Sequence, residues 1–324
     1  MSVSSRSNRS LARKLAAAAC AAALCVAAAL GAGGCSQVQS QLGMVAATEP
    51  QIEQTSTLSA GTVIQDGILT VGINGSNSPY GGTNASGEVI GFDVDMAASL
   101  AGKLGCKLRI VDVGADGKTA VADGTVDVAL SAKKTGASKD LSYSDAYIND
   151  GLSLFCLVKN LPDNVASADL SKEPVLVQGS SAAALTVQEA LGVDAVSVTP
   201  TMQEAFAALE RGEHSYLVAD AVIGSYYARD YSDIVRVDFL SVNDVSPVYA
   251  VTAAGNQELA DAVAGAMSAI TTDGTLRVVV AKWLGNQGST LLPGALQVDD
   301  LPQKFDPKPA GAAKEDTGTK KNAS

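Results

Sequence analysis

Gly179-Ser180-Ser181 stands between an apolar strand pattern, Val175–Gln178, and a helical one, Ala182–Leu191. A glycine lets a ligand approach the backbone. The free N–H groups of a helix start, with two hydroxyls beside them, can then hold a carboxylate. The same serines can equally serve as N-caps of the helix they precede. Asp220 has a similar position: it ends the apolar strand Tyr216–Ala219 and precedes the helix Ala221–Tyr227, where a carboxylate either caps the helix or meets a ligand. A third candidate is the loop Asn74-Gly75-Ser76-Asn77-Ser78-Pro79-Tyr80, which offers the Asn74 amide and the Tyr80 ring. All of this chemistry is non-covalent. His214, the one histidine, lies in the polar turn Glu210–His214, and the five cysteines include no C-x-x-C pair, so neither a zinc nor a redox centre is indicated.

Short β-branched strands alternate with helices to position these residues. Ile68–Ile73 reads as a strand, followed by a helix from Asp93 to Leu104, strands at Lys107–Val113 and Val126–Leu130, and a short helix at Thr119–Asp123 between them. Strand–helix–strand order with short links implies a parallel sheet with right-handed crossovers. Gly151–Lys159 then forms one long strand, and after Pro162 the alternation restarts: strands at Val175–Gln178, Ala195–Val198 and Tyr216–Ala219, helices at Ala182–Leu191, Met202–Arg211 and Ala221–Tyr227. A last strand, Pro247–Ala253, leads to helices at Glu258–Ile270 and Thr275–Trp283. Two α/β units joined by two long strands suggest two lobes with a double crossover; a single continuous sheet satisfies the same pattern.

The ends have a different character. Arg6, Arg9, Arg13 and Lys14 precede an apolar run, Leu15–Leu30, which is short and Ala-rich for a membrane span. Small residues lead from it to Cys35. Residues 1–34 therefore read as a leader, residues 35–60 as a flexible tether, and residues 301–324, rich in Lys, Pro, Ala and Gly, as a disordered tail. Without the leader's four bases, 19 bases face 34 acids, a net charge of −15 that disfavours nucleic acid as a partner. Cys106 and Cys156 remain, either bridged in an oxidising compartment or buried as free thiols.

Four motifs carry a family resemblance across Gly67–Gly285. They are Gly91-Phe92-Asp93-Val94-Asp95-Met96-Ala97, Gly124-Thr125-Val126-Asp127, Tyr143-Ser144-Asp145-Ala146-Tyr147 and Lys282-Trp283-Leu284-Gly285. In order and spacing they resemble the bacterial extracellular solute-binding proteins of family 3, the binding subunits of polar amino-acid ABC importers. The resemblance implies a two-lobed α/β fold of the periplasmic-binding-protein kind (type II) with two hinge crossovers. Lobe one would span 61–154 plus 248–300, and lobe two 155–247. It also implies a ligand site from Asn74, Tyr80, Ser131, Thr135, Gly179, Ser180, Ser181 and Asp220, in which Gly179–Ser181 meets the ligand's carboxylate, Asp220 its ammonium, and Tyr80 walls the pocket.

The small residues before Cys35 resemble a lipobox, with Cys35 lipidated and the protein held at the extracytoplasmic face of the cell membrane; a plain signal-peptidase site near Ala32 and a retained anchor helix are the alternatives. The expected partners are a small polar solute, an ABC permease and the membrane through that lipid. A monomer, no cofactor, no metal and no enzyme activity are expected; an extracellular dehydratase on the same fold and a ligand sensor are the alternatives. One departure leaves the ligand open. Where the family carries T-x-x-R, this chain reads Thr135-Gly136-Ala137-Ser138, with Ser138 in the arginine's place and no arginine between Arg109 and Arg211. Lys133, Lys134 and Lys139 are the nearby cations.

Overall fold

The computed structural model describes residues 56–136, 138–296 and 301–305. The expected leader, Cys35, the tether as far as residue 55 and the tail from residue 306 lie outside the described residues.

The first lobe begins with β1 (Ile68–Ile73), a small hairpin of β2 (Gly82–Thr83) and β3 (Val89–Ile90), and α1 (Phe92–Lys103). It continues through β4 (Lys107–Asp112), α2 (Gly117–Ala122), β5 (Val128–Ala132), β6 (Leu141–Tyr143) and β7 (Ile148–Asp150). The second lobe holds β8 (Leu152–Leu157), β9 (Val175–Gln178), α3 (Ala182–Leu191), β10 (Val196–Thr199), α4 (Met202–Glu210), β11 (Tyr216–Asp220), α5 (Ala221–Ala228) and β12 (Ile234–Phe239). The chain returns to the first lobe as β13 (Ser246–Ala253) and ends in α6 (Gln257–Thr272) and α7 (Thr275–Leu284).

These strands form two separate main sheets. The first has the order β4-β1-β5-β13-β6, the second β10-β9-β11-β8-β12. In each, three parallel strands adjoin an antiparallel one: β13 runs against β5, and β8 against β11. The inner parallel strands are apolar because helices cover both faces: Leu69, Val71 and Ile73 of β1 are buried, as are Val175, Leu176 and Val177 of β9. The largest cluster packs α1, α6 and α7 on the first sheet, and two further clusters flank the second.

The lobes are joined where β7 and β13 pair antiparallel, Asp150 opposite Ser246 and Ile148 opposite Val248. Strand pairing changes sheet at Gly151, so all of β8, from Leu152, belongs to the second sheet, a few residues earlier than the 154/155 boundary expected from sequence. Gly151 has φ 129, and a Cβ there would lie 1.7 Å from the Asp244 carbonyl oxygen, so only glycine lets the two connections pass this closely.

Both ends of the described chain are packed more closely than the composition suggests. Thr57 donates its N–H to the Leu104 carbonyl at 3.0 Å, and Ser59 its N–H to Glu258 at 2.8 Å, so the tether's last residues dock on the first lobe. At the other end, Gln287 zips onto the edge of β12: it accepts from the Arg236 N–H at 2.6 Å and donates to the Ile234 carbonyl at 2.7 Å. Within the expected tail, Leu301 packs in the first lobe's core and Phe305 in the second's. These two apolar side chains hold residues 301–305 against the lobes, where composition alone reads as unstructured. Cys106 and Cys156 are free and buried in different lobes, and burial pushes the Cys156 thiol up to about 11.

The family-like motifs are largely architectural. Asp95 accepts from the Trp283 indole and the Lys282 ammonium, both at 2.6 Å, joining the first motif to the last. Asp127 accepts from the N–H groups of Ile64 and Thr70 at 2.8 and 2.7 Å, which fixes the entry to β1.

Candidate functional site

The carboxyl ends of β1, β5 and β11 meet at the junction of the lobes, the usual location of a ligand in open α/β sheets. A cavity of about 160 Å³ lies there. It is lined by Asn77, Tyr80, Ser131 and Lys133 from the first lobe, Asp150 and Val248 from the paired connections, and Asp220 and Ile223 from the second lobe. A second cavity of about 270 Å³ shares Asn77, Ser131 and Lys133 with it and reaches Asn74, Lys118 and Thr135. Larger cavities sit behind α7 and beside β12, remote from these strand ends.

The first lobe's wall is held from beneath. Asp93, at the start of α1, is fully buried, and it accepts from the Ser131 hydroxyl at 2.6 Å and the Tyr147 hydroxyl at 3.2 Å. Burial pushes its carboxyl up to about 7, although both hydrogen bonds pull it down. Tyr147 in turn accepts from the Ser131 N–H at 2.8 Å. The network holds Ser131 at φ 54, and the other non-glycine residue at positive φ among those described is Ser180, φ 57, at the matching strand end of the second lobe. Such backbone is costly for residues other than glycine and tends to gather at functional sites.

Asp150 pins the hinge. It accepts from the Tyr80 hydroxyl at 2.9 Å and from the Val222 N–H of α5 at 3.1 Å, linking a loop of one lobe to a helix of the other. The Lys133 ammonium lies 3.9 Å from it. Tyr80 is thus both core and cavity wall: its ring stands edge-on to Phe92, and its hydroxyl is spent on Asp150.

Asp220 differs. It holds the N-cap position of α5 but makes no capping hydrogen bond with its side chain. Burial pushes its carboxyl up to about 6, Asp150 pushes it further in the same direction, and Lys133 opposes them. The pairing of Leu176 with Leu217 in the parallel β9–β11 ladder brings Gly179 level with Asp220.

The eight residues read from sequence therefore separate. Tyr80, Ser131 and Asp220 line the smaller cavity, with Ser131 also on the larger, while Asn74 and Thr135 line only the larger. Gly179, Ser180 and Ser181 line neither. The Ser181 hydroxyl accepts from the Ala184 N–H at 3.1 Å and donates to the Gln178 carbonyl at 2.6 Å, which makes it the N-cap of α3. A Cβ on Gly179 would stand 2.9 Å from Val198, so the close approach there is to a neighbouring strand.

Asp150, Asn77 and Ile223 are lining residues that the sequence reading missed. An acid directly before the glycine that opens a long apolar strand was the one signal for Asp150. Among the nearby lysines, Lys133 lines both cavities, whereas Lys134 is drawn away over the Tyr249 ring, 4.2 Å from its centroid. Ser138, in the family arginine's place, hydrogen-bonds within its own turn to Asp140.

The bacterial extracellular solute-binding proteins, family 3, match residues 69–286. An ancestral cationic amino-acid solute-binding protein is 25% identical with a TM-score of 0.58, covering 67% of this chain and 96% of that one. The L-cystine solute receptor of Neisseria gonorrhoeae, in its unliganded open conformation, gives 18% identity and a TM-score of 0.56 over 68% and 94% of the two chains. A polar amino-acid ABC uptake transporter substrate-binding protein from Streptococcus thermophilus gives 18% and 0.58 over 68% and 87%. At 18% the last two speak for the fold alone. No curated protein matches the chain.

Proposed function

We propose a function for a chain that belongs to the bacterial extracellular solute-binding proteins, family 3: it captures a small polar solute, an amino acid or a close analogue, between its lobes and delivers it to an ABC permease. Family membership sets its work outside the cytoplasm. Lipidation of Cys35 would hold it at the membrane's outer face.

Asp220 carries this reading. A carboxylate that is mostly buried, free of capping duty and placed on an interlobe cavity is matched by a ligand ammonium, through a charge-assisted hydrogen bond. Ser131, Tyr80 and Asn77 would meet the ligand from the first lobe, and Asn74 and Thr135 would border its far end. Gly179–Ser181 would close over it from the second lobe by backbone rather than by the Ser181 hydroxyl, which is already engaged. A ligand touching both lobes selects the closed form, with the paired β7 and β13 connections as the hinge.

A carboxylate near 6 in a cleft also suits a general acid, the dehydratase-like alternative. Binding is favoured because the other carboxylate on the cavity, Asp150, is engaged in tying the hinge, so no second free carboxylate lines the cavity to share acid–base work with Asp220.

Calorimetry of the whole chain against the amino acids tests this directly. We expect saturable one-to-one binding that Asp220→Asn weakens severely. Binding indifferent to that substitution, or turnover of a prephenate-like acid, would displace the reading. Detergent partitioning that is lost on Cys35→Ser tests the anchor.

A further inference from the structure

We infer that Lys118 and Lys133 form an anion subsite in the larger cavity, which holds a carboxylate of the solute whose ammonium meets Asp220. This rests on the solute-binding reading above and names the residues that receive the ligand's negative end.

The two adjoining cavities differ in charge. Asp150 and Asp220 line the smaller one, with Lys133 at their shared border. Lys118 and Lys133 are the charged residues lining the larger one, and no acid lines it. A solute spanning both therefore meets a field that runs from negative to positive, and a cleft that loses water on closing strengthens it. No arginine lines either cavity, so the lysines are the available cations.

The Lys118 ammonium is also held in place. It donates to the Thr135 carbonyl at 2.8 Å and to the Lys133 carbonyl at 3.3 Å, so α2 is tied to the loop that follows β5. An ammonium has three donors, and two are used here. Lys118 makes no ion pair among the described residues, and the remaining donor is free for an anion. Lys133 lies 3.9 Å from Asp150, beyond ordinary hydrogen-bond length, and that carboxylate already accepts from Tyr80 and Val222. The Lys133 ammonium is therefore weakly committed and can turn to a ligand carboxylate. Its neighbour Lys134, stacked over Tyr249, cannot do the same without leaving that ring.

The test compares matched solutes on the full chain by calorimetry: the twenty L-amino acids, then the tightest of them against its own decarboxylated amine. We expect the amino acid to bind at least tenfold more tightly than the amine. Lys118→Met and Lys133→Met should each remove most of that preference, and Lys118→Arg should restore it. Asp220→Asn should weaken amino acid and amine alike. An amino-acid preference that persists in both Met variants, with thermal melts showing them folded, would overturn the lysine subsite while leaving the Asp220 reading standing. Amine binding as tight as amino-acid binding in the unmodified chain would overturn it as well. Silence across all twenty amino acids would remove the amino-acid reading and the subsite together.

Discussion

Two carboxylates, one beneath the cleft's wall and one on it, began with the same physics and were put to different uses. Asp93 and Asp220 each stand at the start of a helix that follows extended chain, and burial raises both, to about 7 and about 6. In the first lobe Asp93 is spent inward. Two hydroxyls satisfy it, and through them it fixes Ser131 in its left-handed backbone. In the second lobe Asp220 is left without a capping bond and faces a cavity. A buried acid with partners is scaffold, and a buried acid without them is receptive. The lobes therefore divide the work: one supplies a braced wall, the other an unmet charge.

The largest effect expected from breaking this contrast is on stability. An unfolded Asp titrates near 4, and Asp93 titrates near 7 when folded. Its folded-state pKa is raised, so its contribution to stability is whole below about pH 4 and falls as pH rises, until it is gone above about 7. Three pH units correspond to about 4 kcal/mol. Asp93→Asn keeps an acceptor for Ser131 and removes the titration. Chemical denaturation from pH 4 to pH 8 should show the unmodified chain losing about 4 kcal/mol relative to Asp93→Asn. Parallel curves would mean that Asp93 is not the costly buried acid of this comparison.

Asp220→Asn should have the converse signature. Loss of a charge-assisted bond in a dry cleft is worth about 3 kcal/mol, on the order of a hundredfold in affinity. Stability near neutral pH should hold or rise, because a charge that burial and Asp150 both disfavour is gone. A large fall in stability with unchanged affinity would reverse the roles of the two acids. Binding by the unmodified chain should also weaken as pH falls through about 6, by up to tenfold per unit as Asp220 takes a proton, and this dependence should vanish in Asp220→Asn.

How far the sequence exposes this contrast can be judged residue by residue. Asp220 is legible because it closes a clean apolar strand and precedes a helix. Asp93 reads from sequence only as an acid suited to the helix dipole. Its burial depends on Ser131 and Tyr147, which come from later segments and are brought above it only by folding. β12 is legible by period, since Val235, Val237 and Phe239 alternate with Arg236 and Asp238, although the strands read from sequence do not include it. The structure accommodates Arg236 by covering it with Thr290 and Ser153. Asp150 escapes because β7 is three residues long, too short to show a period. The family-like motifs, conspicuous in sequence, turn out to join elements to each other, as Asp95 does with Lys282 and Trp283.

Ser181→Ala should have the smallest effect, and it separates capping from binding at a residue for which sequence leaves both open. The Ser181 hydroxyl accepts from Ala184 and donates to Gln178, so its proton is not available to a ligand. Removing it should cost about 1 kcal/mol of stability, the usual value of an N-cap. That appears as a lower midpoint in denaturant with an unchanged slope. Affinity should move by no more than about twofold, equivalent to roughly 0.4 kcal/mol. Ser181→Asp offers a sharper version: it preserves the cap and favours the helix dipole, but adds a negative charge two residues from Gly179, which lies level with Asp220. Stability should then recover while binding of a carboxylate-bearing solute falls. If Ser181→Asp instead binds as well as the unmodified chain, Gly179–Ser181 does not close on the ligand, and the second lobe meets it through Asp220 and Ile223.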